Sequence, residues 1–107
     1  MTPHNALLLA ADVIETAGFH RRYFWDTAQA QSGVPPHLCR VDVSGALAIA
    51  LHGHPAMVHT PDVRAVEHLL VARLNAPSLA AWYARRPTRE QALRLLRDTA
   101  HDLRRHP

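Results

Sequence analysis

Apolar residues recur along this chain three or four positions apart in several separate stretches, the spacing of helices rather than strands. In the first stretch, Leu7, Ala10, Ala11, Ile14 and Ala17 form a stripe. Leu8, Leu9 and Val13 widen it, while Asp12 and Glu15 mark the solvent side. Thr2 followed by Pro3 reads as an N-cap with proline at the first helical position, and Gly18 as a terminator. The pattern predicts a well-buried helix over 3–17.

The stretch from Cys39 to Gly53 is the most apolar part of the middle of the chain. Asp42 or Ser44 can cap a helix there and Gly53 can close it, which predicts a helix over 42–52. Ala46, Leu47, Ile49, Ala50 and Leu51 leave it little polar surface, so it belongs in the middle of the domain. Gly45, Ala46 and Ala48 offer a small-residue surface for close packing of another helix. Thr60 and Pro61 repeat the start signal. Val63, Val66, Leu69, Leu70 and Leu74 then mark a helix over 61–74, ended by Asn75 and Pro77. Ser78 can cap a short turn through Leu79, Trp82 and Tyr83. Thr88 with Gln91 forms a capping box, and Ala92, Leu93, Leu96, Ala100 and Leu103 predict a last helix over 89–104.

Residues 19–36 are the least regular. Four of the six aromatic residues (Phe19, Tyr23, Phe24, Trp25) crowd there beside two arginines. A short helix over about 22–30 and an ordered loop both remain open, and no alternation supports a strand pair. The sum is an all-α fold: a compact bundle of about four main helices with one or two short helical turns. Its connections are short enough for antiparallel neighbours.

Composition narrows the picture. A chain of 107 residues that is 48% hydrophobic and 20% charged reads as one globular domain over 1–107. No apolar run reaches the roughly 18–20 residues of a membrane span. The apolar run over 6–11 lacks the flanks of a signal peptide, so a cytoplasmic location is expected. One cysteine excludes an internal disulfide. All twelve basic residues are arginine, which points to a GC-rich coding genome and lowers the weight of any single one. Residues 85–107 carry seven arginines against three acids, so the basic character lies at the C-terminal end.

The order of these signals resembles a family of small, mostly actinobacterial proteins, the domain of unknown function 6197. AADVIETAGF is similar to its first helix, Cys39 with Gly45-Ala46-Leu47 to its central block, and LAAWYARRPTREQALRLLRDTA to its Trp-containing turn and final helix. The resemblance implies the helical fold and implies no activity.

Three groups of side chains are candidates for function. Nine histidines include His37, beside Cys39, and His52 with His54 and His59. These are good zinc ligand types. However, the two clusters flank a helix about 15 Å long and cannot share one ion. No metal or cofactor is therefore expected. His20, Arg21, Arg22, Tyr23, Trp25 and Asp26 interleave cations with aromatics, a pattern that can hold a planar or anionic ligand. Cys39, Asp42 and His52 can join it from either end of the central helix. The plainer alternative is that the aromatics cover the core while the arginines face water. Cys39 lacks a local nucleophile signature, and Asp42 is more often a cap than a base. Finally, Arg94, Arg97, His101, Arg104 and Arg105 line one side of the last helix and can contact phosphates. No helix-turn-helix accompanies them. Pairing of Glu90 with Arg94, and of Asp98 with the C-terminal arginines, would make them a solvated face.

Three functions fit: a binding or regulatory accessory protein acting through ligand or protein contacts, including a homodimer; a compact small-molecule-binding protein or enzyme of specialised metabolism; and, less favoured, a nucleic-acid binder using Arg94, Arg97 and Arg104. Whether the chain is an enzyme stays open. No membrane role is expected.

Overall fold

The computed structural model describes residues 1–105 and is helical throughout, with six α-helices. These are α1 (Pro3–Ala17), α2 (Thr27–Gln31), α3 (Val43–His52), α4 (Pro61–Arg73), α5 (Leu79–Ala84) and α6 (Arg89–Arg105), with a 3-10 turn at Pro36–Leu38 before α3. Helix α1 makes the two largest interfaces, with α6 and with α3. It runs antiparallel to α6. His4 near its start donates to the Ala100 carbonyl at 2.8 Å, and Arg89 donates to the Glu15 carbonyl near its end. Leu7, Ile14, Leu47, Leu70 and Leu96 lie fully buried where α1, α3, α4 and α6 meet. Each contributes roughly 1.5–3 kcal/mol by leaving water.

Local chemistry explains most helix ends. The Thr2 hydroxyl accepts from Asn5 N–H at 3.2 Å, Asp42 from Gly45 N–H at 2.7 Å, and Ser78 from Ala81 N–H at 3.1 Å. The capping box closes in both directions, Gln91 N–H to Thr88 at 3.1 Å and Thr88 N–H to Gln91 at 2.8 Å. Gly53 ends α3 in the left-handed region, at φ 79°. Thr60 departs from expectation. It stands at the N-cap of α4 but makes no cap bond; its hydroxyl donates back to the Met57 carbonyl, and the Asp62 carboxylate accepts the Val63 N–H instead.

Two expectations about packing need correction. Leu8 and Leu9 are 39% and 40% exposed. The buried stripe of α1 is narrower, Ala6, Leu7, Ala10, Ala11 and Ile14, since alanines let α3 and α6 approach closely. Helix α3 is indeed deeply buried from Val43 to Ala48. Its Gly45, however, faces a stretch of loop backbone rather than a helix. A Cβ there would stand 1.9 Å from the Phe24 carbonyl oxygen.

That carbonyl belongs to the irregular segment, which is the ordered loop rather than the helix over 22–30. It wraps one extended stretch, residues 40–42. His20 N–H donates to the Val41 carbonyl at 2.8 Å and Val41 N–H to the Gly18 carbonyl at 3.2 Å. Asp26 N–H then donates to the Arg40 carbonyl at 2.8 Å and Asp42 N–H to the Phe24 carbonyl at 3.3 Å. Val41 is thus bridged to Phe19 on one side and Trp25 on the other. Residues 21–23 bulge between the two bridges. Helix α2 begins only at Thr27, where Asp26 caps it.

Candidate functional site

The wrapped segment walls two clefts. The basic cleft, about 410 Å³, is lined by Phe19, His20, Arg21, Arg22, Asp26, Arg40 and Arg89. Arg21 donates to the Pro87 carbonyl at 3.0 Å, and Arg89 to the Glu15 carbonyl at 3.1 Å. Arg40 pairs with Asp26 at 2.6 Å. Asp26 is held below the usual carboxylate range, first by the Gln29 backbone N–H and then by Arg40.

The second cleft, about 430 Å³, lies between Phe24, the 58–59 loop, α4 and the start of α5. Phe24, Val58, Val71, Pro77 and Leu79 give it apolar walls; His59, Arg64, Glu67, His68 and Ser78 are its polar groups. Behind Glu67 runs a buried polar chain. The Ser44 hydroxyl, on a residue only 5% exposed, donates to Glu67 Oε2 at 2.8 Å. Asp42, 4% exposed, lies at the same end of α3. Burial pushes its carboxyl up to about 7; the Gly45 N–H opposes this and the negative Glu67 adds to it. Val43 N–H donates to the Tyr83 hydroxyl oxygen at 3.0 Å. Burial, and then Asp42, raise that phenol well above its ordinary value. This end of α3 can hold a proton near neutrality beneath a cleft. Ser44 is too enclosed to act as a nucleophile there and serves to position Glu67.

Of the sequence candidates, His20, Arg21 and Asp26 meet in the basic cleft, joined by Arg22. Tyr23 and Trp25 line neither cleft. Tyr23 stacks on Phe24 and Trp25, and the Trp25 ring meets His54 edge-on at 6.0 Å. Phe19 and Phe24 pack on the core as well as walling a cleft each, whereas Trp25 packs on the core alone. Cys39 is buried, its thiol directed at the Pro35 carbonyl at 3.4 Å, and burial raises its pKa. That describes an inert thiol. Asp42 caps α3. His52 stands at the other end of α3, bonded to Asp62 at 2.9 Å and Thr60 at 3.2 Å. Thr60 and then His52 lower Asp62 to about 2. Among the described residues, no three His, Cys, Asp or Glu side chains are grouped so that they could hold a metal ion.

The arginine stripe of α6 is broken up by neighbours. Arg97 pairs with Glu15 of α1, and Asp12 lies 3.8 Å away. Glu90 pairs with Arg89 rather than Arg94. Asp98 and Asp102 turn to Arg73 of α4 rather than to the C-terminal arginines, because α4 packs alongside. Arg94, Arg104 and Arg105 are exposed.

Sequence reasoning missed Arg40 and Arg89 as partners of the 19–26 cluster, and missed Ser44, Arg64, Glu67, His68 and Tyr83. The one usable signal was the pair Asp42 and Ser44: two capping residues for one helix end leave one free for other work. Among the described residues, no helix is long and apolar enough to cross a membrane. Comparison with curated proteins and with solved structures finds no match. The model of a family described as a family of unknown function, DUF6197, matches residues 1–102, a span that holds both clefts. With nearly the whole chain matched, the protein belongs to the DUF6197 family.

Proposed function

We propose that this is a small cytoplasmic ligand-binding protein whose ligand occupies the cleft beside α4. One observation carries this: apolar walls and convergent polar side chains share a single cleft, backed by a buried acid. Binding sites for small molecules have this make-up, mostly apolar with a few placed polar groups. Phe24, Val71 and Leu79 suit an apolar body. Glu67, His68 and Arg64 suit a head group that both donates and accepts hydrogen bonds. Glu67 is preorganised by Ser44, which lowers the ordering cost of binding.

Fragment screening by ligand-observed NMR tests the proposal. Amphipathic fragments are expected to bind, and Val71→Trp, which fills the cleft from its half-buried wall, is expected to abolish that binding while the protein stays folded. Fragments that bind Val71→Trp as well as they bind the parent protein would place the site elsewhere.

A further inference from the structure

We infer that the basic cleft is a separate site for a phosphomonoester, a small molecule carrying a terminal phosphate. Four arginines from three distant parts of the chain converge there: Arg21 and Arg22, Arg40, and Arg89. Asp26 is the sole acid of the lining and Glu90 pairs with Arg89 from outside it, which leaves a formal charge of +2 with His20 neutral. The surplus persists because of how the arginines are held. Arg21 is anchored by the main-chain carbonyls of Pro87 and Arg86, and Arg89 partly by that of Glu15. A carbonyl fixes a guanidinium without cancelling its charge. The Glu15 carboxylate is turned away to Arg97, and Glu90 meets Arg89 from outside the lining. Asp26 is occupied by Arg40 and by the backbone of α2. Arg22 is exposed and has no hydrogen-bond or ion-pair partner among the described residues.

The number of guanidinium groups selects the ligand. One arginine fork satisfies one carboxylate, whereas a terminal phosphate carries nearly two charges and three acceptor oxygens that several forks can share. A nucleic-acid backbone presents only one charge per phosphate, and the lining here is a cleft rather than a stripe. Phe19 adds a flat apolar face beside the cations for the body of the molecule.

The test titrates phenyl phosphate into the intact protein, followed by calorimetry and by amide chemical shifts, with benzoate, inorganic phosphate and a dinucleotide as comparisons. Phenyl phosphate is expected to bind, with shifts at residues 20–26 and Arg40. Arg22→Gln, which breaks no hydrogen bond or ion pair among the described residues, is expected to weaken it about tenfold. Arg104→Gln, roughly 22 Å along α6 from Arg89, leaves it unchanged. Inorganic phosphate binding at the same residues, more weakly, also supports the proposal. Equal affinity for benzoate or the dinucleotide would overturn it. So would an unchanged affinity in Arg22→Gln, shifts confined to the α4 cleft or to Arg94 and Arg104, or no binding at millimolar ligand.

Discussion

Asp42 shows how one side chain can serve the fold and resist it at once. Its carboxylate accepts the Gly45 N–H and starts α3. Yet it is buried beside Glu67, and burial lifts it to about 7. In the unfolded chain the same group titrates near 4. Between those values the folded state holds the extra proton, so this residue's contribution to stability falls as pH rises from about 4 to about 7, then levels off. Asp42→Asn keeps a cap oxygen of equal quality and removes the charge. The variant is therefore expected to match the parent near pH 4 and to exceed it at pH 8, by an amount on the order of 4 kcal/mol. Urea unfolding at the two pH values measures this. A variant less stable at pH 8 would mean that the carboxylate is ionised and favourably held in the fold.

Among the elements, α4 and α5 each follow a hydroxyl residue at the N-cap position and differ in how it is used. Ser78 bonds the Ala81 N–H, whereas the Thr60 hydroxyl is committed to Met57 and lies beside His52. Ser78→Ala is expected to cost about 1 kcal/mol and Thr60→Ala only a few tenths, compared by their denaturation midpoints. Helices α1, α3, α4 and α6 were legible because apolar spacing and caps are local properties. The wrapped segment was not. Its pairing is to the backbone of residues 40–42, and bridging a single residue, Val41, requires no alternation of side chains. Much of the basic cleft was legible as His20, Arg21, Arg22 and Asp26. Arg40 and Arg89 were hidden because only tertiary folding brings them alongside. Glu67 and His68 looked like any solvent face of a helix, and helical spacing cannot tell a face over water from a face over a cleft.

At the scale of the whole molecule, the first and the last described helices are packed on each other, and this makes the domain hard to divide. Helix α1 makes its largest interface with α6 and a nearly equal one with α3. Until α6 is present, Leu7 and Ile14 have only α3 as a large partner. Helix α6 itself buries Ala92, Leu93, Leu95, Leu96, Thr99 and Ala100. Its three leucines alone contribute roughly 1.5–3 kcal/mol each, against a net stability of about 5–15 kcal/mol for a domain of this size. Removing α6 also strips the Arg97 contact from Glu15 and exposes the side of α4 that carries Leu70. The losses are comparable with the whole margin. A chain of residues 1–88 is therefore expected to be unfolded rather than a smaller folded unit, with weak helical circular dichroism, collapsed amide dispersion and no cooperative thermal transition. Adding a peptide of residues 89–105 is expected to restore helicity in a concentration-dependent way, because association then supplies the missing interface. A truncated chain that melts cooperatively by itself would show that α3 and α4 suffice to hold α1, and that α6 is an appended helix rather than part of the core.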